Sequence, residues 1–240
     1  MFNYNNIILL VLLVLLFLLI LRYYNKKNVF GGNFKYKLHL QNIIKQKDID
    51  TYTKSIIRIP NFLTNEECKK LINMAKPNMS RSLVIGRSKR KESAVRTSTN
   101  TFLYKNNRLV NKINNKLENI VKISKENYER PQIARYKPKQ FYKEHHDICT
   151  PLDSPFCKDD YNRGGYRVKT AIIYLTDTFE GGHTSFPLLD KKFKLSAGEI
   201  IIFDNIYDKN KYELSLHQGN PIKSGTKWIL TIWIREKKFI

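Results

Sequence analysis

Apolar positions in this chain follow three regimes. Residues 7–21 (IILLVLLVLLFLLIL) are unbroken apolar sequence, closed by Arg22, Tyr23, Tyr24, Asn25, Lys26 and Lys27. As a helix the run reaches about 22 Å, short of a ~30 Å hydrocarbon core, with Tyr23 and Tyr24 placed to extend it into the interface. The expectation is a single-pass membrane anchor within residues 1–24. A cleaved signal peptide is the competing reading, but no basic stretch precedes the run and no small-residue cleavage pattern follows it. Residues 25–54 then carry basic residues, Gly31-Gly32 and little periodicity, and read as a linker.

From residue 55 to 240 the pattern is that of a folded domain, about 185 residues and enough for one core. Thr64-Asn65-Glu66-Glu67 is a capping box, in which the hydroxyl and the carboxylate satisfy helix-start amides. Cys68, Leu71, Ile72 and Ala75 follow at helical spacing, and Pro77 ends the pattern. A second amphipathic helix is predicted across Leu109, Val110, Ile113, Leu117, Ile120 and Val121. After Gln132 the signals become short strands, among them residues 170–176, 199–203 and 227–235, separated by Gly, Asp, Asn and Pro. Helices first and strands after predict an α+β domain with the helices on one face of a β-sandwich.

Candidate chemistry sits in the strand half. Residues 140–147 (QFYKEHHD) show no helical stripe and predict an extended strand. On a strand, alternate side chains share a face, so His145 and Asp147 point together and His146 points away. His217 and then Lys227 follow downstream. Two imidazoles and a carboxylate on one side of a ferrous ion leave its other positions open, as a non-haem iron oxygenase requires.

The ordered set Arg96-Thr97-Ser98, Tyr136, Gln140-x-Tyr142-x-x-His145-x-Asp147, Gly164-Gly165-x-Arg167-x-x-Thr170, Gly181-Gly182-x-Thr184-x-Phe186-Pro187, Leu216-His217-x-Gly219-x-Pro221 and Gly225-x-Lys227-Trp228 resembles the prolyl 4-hydroxylases of the Fe(II)/2-oxoglutarate dioxygenase superfamily. The resemblance covers residues 55–240. It implies a double-stranded β-helix, or jelly roll, with Fe(2+) held by His145, Asp147 and His217. It assigns Lys227, Tyr136 and Thr184 to 2-oxoglutarate, and L-ascorbate as the reductant that restores the iron. The products are hydroxylated substrate, succinate and CO2. Residues matching a proline-peptide groove are Arg96, Ser98, Glu129, Arg167 and Trp233, with plain alternatives: an ion pair for Glu129 and Arg167, core for Trp233. The implied partner is a proline-containing peptide, collagen-like or otherwise. His183 departs from the acidic residue common in the Gly-Gly-Glu-Thr motif and reads as a surface or supporting substitution, since a fourth ligand would close the site.

Composition adds less. The chain has 43 Lys and Arg against 21 Asp and Glu, a formal charge of +22. The lysine runs are scattered, which fits a solvated surface better than a nucleic-acid site. Abundant Lys, Asn, Ile and Tyr fit an AT-rich coding sequence, such as that of a large DNA virus or a protist. The basic flank of the anchor places the domain on the cytoplasmic side, whereas related anchored hydroxylases face the endoplasmic reticulum lumen. Both placements stand open, as does a viral or host membrane. Cys149 and Cys157 are either a disulfide or two loop thiols, and Cys68 falls on a helix's apolar face. Two other functions compete: an iron/2-oxoglutarate hydroxylase of peptidyl lysine or an alkylated base, and a non-catalytic basic binding module. Lys227 disfavours the former, whose members usually carry Arg there, and the complete ligand set disfavours the latter.

Overall fold

The computed structural model describes residues 44–85, 90–91, 94–149, 154–206 and 212–240. The apolar run at 7–21 and most of the basic stretch after it lie outside them. Among the described residues, no helix is long and apolar enough to cross a membrane.

The predicted capping box forms. The Thr64 hydroxyl accepts from the Glu67 amide at 3.2 Å, and the Glu67 carboxylate accepts from the Thr64 amide at 2.9 Å. These bonds satisfy amides that the first turn leaves unpaired and start the helix Asn65–Ala75. It buries Cys68, Leu71 and Ala75. The second helix, Arg108–Val121, is capped by the Asn107 side chain and buries Val110, Ile113 and Leu117. Both helices contribute to one apolar core with Ile133, Ala171, Ile173, Ile200, Ile202, Leu230, Ile232 and Ile234.

The residues from Ile133 onward belong to the larger of the two main antiparallel sheets; among the described residues, two further pairs of strands, Phe179–Gly181 with Ile222–Gly225 and Val84–Ile85 with Arg90–Lys91, stand apart from them. The strands of the larger sheet, in spatial order, are Ile57–Ile59, Ile200–Asp204, Arg167–Tyr174, Lys227–Arg235, Gln132–Tyr136, Thr99–Phe102 and Ser80–Arg81. The smaller sheet runs Lys191–Phe193, Thr184–Phe186, His217–Gly219 and Tyr142–His145. Phe186 of the smaller sheet meets Phe203 of the larger edge-on, with ring centroids 5.0 Å apart, and Phe203 in turn packs on His217. The α+β expectation therefore holds, with helices on one face of the larger sheet and the smaller sheet against the other.

Alternation along Lys227–Arg235 shows how the larger sheet is used. Trp228, Leu230, Ile232 and Ile234 join the helix-side core, while Lys227, Ile229, Thr231 and Trp233 line a pocket on the opposite face. All nine residues are buried. A strand buried on both faces reads as a nearly continuous apolar run, which is why its polar members stand out.

One difference from the sequence reading lies at the front of the domain, and one alternative it left open is decided at the cysteines. Part of the stretch read as linker is a helix, Gln46–Ser55, which buries Tyr52 and sends its hydroxyl to the Asp204 carbonyl. Lys47–Ile240 accordingly form one compact unit, longer at the front than the predicted domain. Cys149 and Cys157 are joined as a disulfide with Cα atoms 5.4 Å apart. Cys157 lies on the helix Pro155–Asn162, capped by Ser154. Cys68 is free and buried, and burial pushes its thiol up to about 11.

Thr64→Ala removes the reciprocal cap. A loss of about 1 kcal/mol is expected, or a fall of roughly 2–4 °C in a circular-dichroism melt for a domain of this size. An unchanged melting temperature would show that the cap contributes nothing to stability.

Candidate active site

A pocket between the sheets, partly open to solvent, gathers His145, Asp147, His217 and Lys227 in one place. His145 ends the strand Tyr142–His145, His217 begins His217–Gly219, and the two residues are ladder partners. Asp147 lies in a bend just past the strand, not on it as the alternation argument had it. The bend nonetheless delivers its carboxylate. Asp147 Oδ1 lies 3.8 Å from His145 Nε2, and Asp147 Oδ2 lies 3.6 Å from His217 Nε2. One donor atom from each of the three residues falls within 4.8 Å of the others.

Backbone carbonyls fix the imidazole tautomers. His145 Nδ1 lies 2.7 Å from the Lys143 carbonyl and His217 Nδ1 lies 2.9 Å from the Ser215 carbonyl. A carbonyl can only accept, so each Nδ1 carries the proton and each Nε2 keeps its lone pair toward the pocket. Tyr142 stacks on His145 at 3.5 Å and holds the ring in place. Burial, with the neighbouring His217, keeps His145 well below the ordinary imidazole range. Burial alone would raise the Asp147 carboxyl, but His217, His145, Arg167 and the Thr170 hydroxyl outweigh it and hold the group at about 2. Two imidazoles with Nε2 turned toward the pocket and an ionised carboxylate, with open surroundings, suit a divalent first-row metal.

The other two histidines among the described residues do not join the cluster. His146 points away, as predicted, with Nδ1 3.3 Å from the Ser215 hydroxyl and its ring edge-on to Tyr212. Burial lowers it to about 4. His183 is half-buried on the turn before Thr184, outside the set of three.

Lys227 is buried and has only neutral partners. Its ammonium donates to the Tyr174 hydroxyl at 2.8 Å and to the Gly182 carbonyl at 2.6 Å, and burial lowers it to about 7. Gly182 reaches it through a positive φ of 63°, and a Cβ there would stand 2.4 Å from Ile222 Cδ1. Thr184 is tied to the same centre by a 2.9 Å bond between its hydroxyl and that of Tyr174. Tyr136 is the ladder partner of Lys227 and lines the pocket.

Of the five groove residues, Arg96 and Trp233 line this pocket and Ser98, Glu129 and Arg167 do not. Arg96 donates to Gln132 at 2.7 Å and to the Ser98 hydroxyl at 3.3 Å. Glu129 is the centre of a buried ion cluster, accepting from Arg167 at 2.6 and 2.8 Å and from Arg235 at 2.7 Å. Arg167 also lies over the Trp233 ring at 4.2 Å and donates to the Asp147 carbonyl at 3.1 Å. The ion-pair alternative describes where Glu129 and Arg167 sit.

Sequence reasoning gave no role to Tyr174 or Thr170, although both stand in the site. The Thr170 hydroxyl donates to Asp147 Oδ2 at 2.7 Å. The signal was available: Thr170, Ile172 and Tyr174 alternate along one strand, and period two puts all three on the pocket face.

Comparison with known proteins agrees with this geometry. Residues 131–235 match the model of the 2OG-Fe(II) oxygenase superfamily. The chain is 35% identical over 195 residues to a protein of Acanthamoeba polyphaga mimivirus assigned as a prolyl 4-hydroxylase, covering 79% of this chain and 77% of that one. It is 33% identical over 211 residues to prolyl 4-hydroxylase 1 of Arabidopsis thaliana, covering 79% and 72%. Among solved structures, the viral collagen prolyl hydroxylase of Paramecium Bursaria Chlorella virus-1, as its 2OG complex, superposes with a TM-score of 0.60 at 31% identity, covering 75% of this chain and 95% of that one.

Ala at His145, Asp147 or His217 should weaken Mn(II) binding by more than roughly 100-fold, beyond what losing an outer-shell partner costs, while His146→Ala and His183→Ala stay within about threefold of the parent. Calorimetric titration of the metal-free protein measures this. Retained affinity in any of the first three would remove that residue from the ligand set.

Proposed function

Given that the chain belongs to the 2OG-Fe(II) oxygenase superfamily and, within it, to the prolyl 4-hydroxylase family, we propose that it hydroxylates proline residues of peptides at C4. 2-Oxoglutarate and O2 are consumed, and succinate and CO2 released. The observation that carries the reading is one pocket lined at once by His145, Asp147, His217 and Lys227 and by Arg96 and Trp233. Fe(II) fits the donor set, and with the co-substrate and O2 it supplies the oxidation of an unactivated C–H bond.

The chain's own residues do the rest. His145, Asp147 and His217 would hold the metal. Lys227 pairs with the distal carboxylate of 2-oxoglutarate, and Thr184, Tyr136 and Tyr174 offer hydroxyls around it. Ile172 and Ile229 give the pocket apolar wall that limits water. Trp233 presents a flat face to a polyproline segment, and Arg96 reaches its unpaired carbonyls. Glu129 and Arg167 hold the Trp233 wall from behind, and Ser98 holds Arg96. The apolar run at 7–21 supports a membrane tether for the domain. Lys227 weighs against lysine or alkylated bases as targets.

The domain from residue 44, incubated with Fe(II), 2-oxoglutarate, ascorbate and proline-rich or collagen-like peptides, should add one oxygen to proline by mass spectrometry. The gain should vanish without 2-oxoglutarate and in Asp147→Ala. Succinate without oxidised proline would keep the iron chemistry and reject the target; no succinate from iron-loaded protein would reject both.

Lys227 also predicts a proton count. Free, it is held at about 7, so above that pH it is largely neutral. A carboxylate partner favours the ammonium and raises its pKa, so binding near pH 8 should take up close to ~1 proton. Calorimetry of 2-oxoglutarate binding to Mn(II)-loaded protein, in buffers of different ionisation enthalpy, reads this directly. Lys227→Met should abolish the uptake, and a parent signal independent of buffer would sink the assignment.

A further inference from the structure

A hydrogen-bond chain runs behind the Asp147 carboxylate. Asn205 Nδ2 donates to Thr170 Oγ1 at 2.9 Å, and Thr170 Oγ1 donates to Asp147 Oδ2 at 2.7 Å. Both residues are fully buried. Asn205 follows the strand Ile200–Asp204, and its own amide donates to the Val168 carbonyl at 2.8 Å, which fixes where the side chain starts.

The chain has a direction. A hydroxyl owns one proton, and an amide NH2 can only donate. With Asn205 donating, the Thr170 oxygen accepts and its proton is left for Asp147. The reversed amide would set two acceptors, Asn205 Oδ1 and Asp147 Oδ2, against each other for that one proton. In the observed orientation Asn205 Oδ1 is buried and has no partner among the described residues. The single Thr170 proton, needed at Asp147, therefore sets the orientation, and the donor end is what this position uses. The main chain at Asp147 is held separately, by Arg167 at its carbonyl. What Thr170 controls is therefore the rotation of the carboxylate.

We propose that Thr170 and Asn205 are positioning residues for the metal: Thr170 fixes the rotation of the Asp147 carboxylate between the two imidazoles, and Asn205 fixes the direction of the Thr170 proton. This rests on Asp147 being a metal ligand, as proposed above.

The test measures metal binding without turnover. Mn(II) affinity and the Co(II) visible spectrum are compared across the parent, Thr170→Val, Thr170→Ser, Asn205→Ala, Asn205→Asp and His145→Ala, with metal-free melts as a check on folding. Thr170→Val, nearly isosteric, should lose roughly 10–100-fold in affinity and shift the Co(II) bands. Thr170→Ser should restore both. Asn205→Asp, which turns the donor into a competitor, should lose at least as much as Asn205→Ala. Parent-like affinity and spectrum in folded Thr170→Val overturn the inference while leaving the function intact. If Thr170→Val does not fold, Asn205→Ala decides: parent-like binding there overturns it equally. A parent that binds no Mn(II), or a His145→Ala that binds as the parent does, overturns the metal reading itself.

Discussion

Burial of Lys227–Arg235 on both faces is the constraint on which the rest of the molecule depends. The strand lies between Arg167–Tyr174 and Gln132–Tyr136 in the larger sheet, so its register sets theirs. Its even-numbered residues draw the two helices onto one face, and Lys227, Ile229, Thr231 and Trp233 form the wall of the pocket. A one-residue slip would exchange the two sets and put Leu230 and Ile232 in the site and Lys227 in the core. The same apolar packing that stabilises the domain therefore also places the chemistry.

The two cations on that strand meet opposite treatment. Arg235 is fully buried and satisfied by Glu129, by Asp160 and by the carbonyls of Asp160 and Gly165. Burial of a charge so thoroughly paired is tolerable, and removing one partner would be strongly destabilising. Lys227 has a hydroxyl and a carbonyl and no carboxylate. One cation completes the scaffold; the other is left to be completed by something that enters the pocket.

The helices Asn65–Ala75 and Arg108–Val121 and the major strands were legible because each carries a clear period and, for Asn65–Ala75, an explicit cap. The ligand set was legible because His-x-Asp, a distant His and a Lys form an ordered motif. Gln46–Ser55 was not, since Tyr52 is its one buried side chain and a single anchor makes no periodic stripe. Asp147 was assigned to the right face for an incomplete reason: the strand ends two residues early and a bend does the work. Asn205 lies beyond any local signal, because its partner Thr170 is thirty-five positions away and meets it only across adjacent strands. Glu129 and Arg167 show the same limit, since an ion pair and a peptide contact ask for the same residue types.

The bond between Cys149 and Cys157 gives the Asp147 bend a second fixed end. Upstream the bend leaves the ladder at His145; downstream, two residues on, it is covalently joined to the helix Pro155–Asn162, and Asp160 of that helix is paired with Arg235. The cross-link spans only 8 positions. In the chain-entropy view so short a loop still removes roughly 2–3 kcal/mol of freedom from the unfolded ensemble. Mechanically, the ligand sits on a beam clamped at both ends rather than on a cantilever, so torque from the surface reaches the scaffold before it reaches the carboxylate.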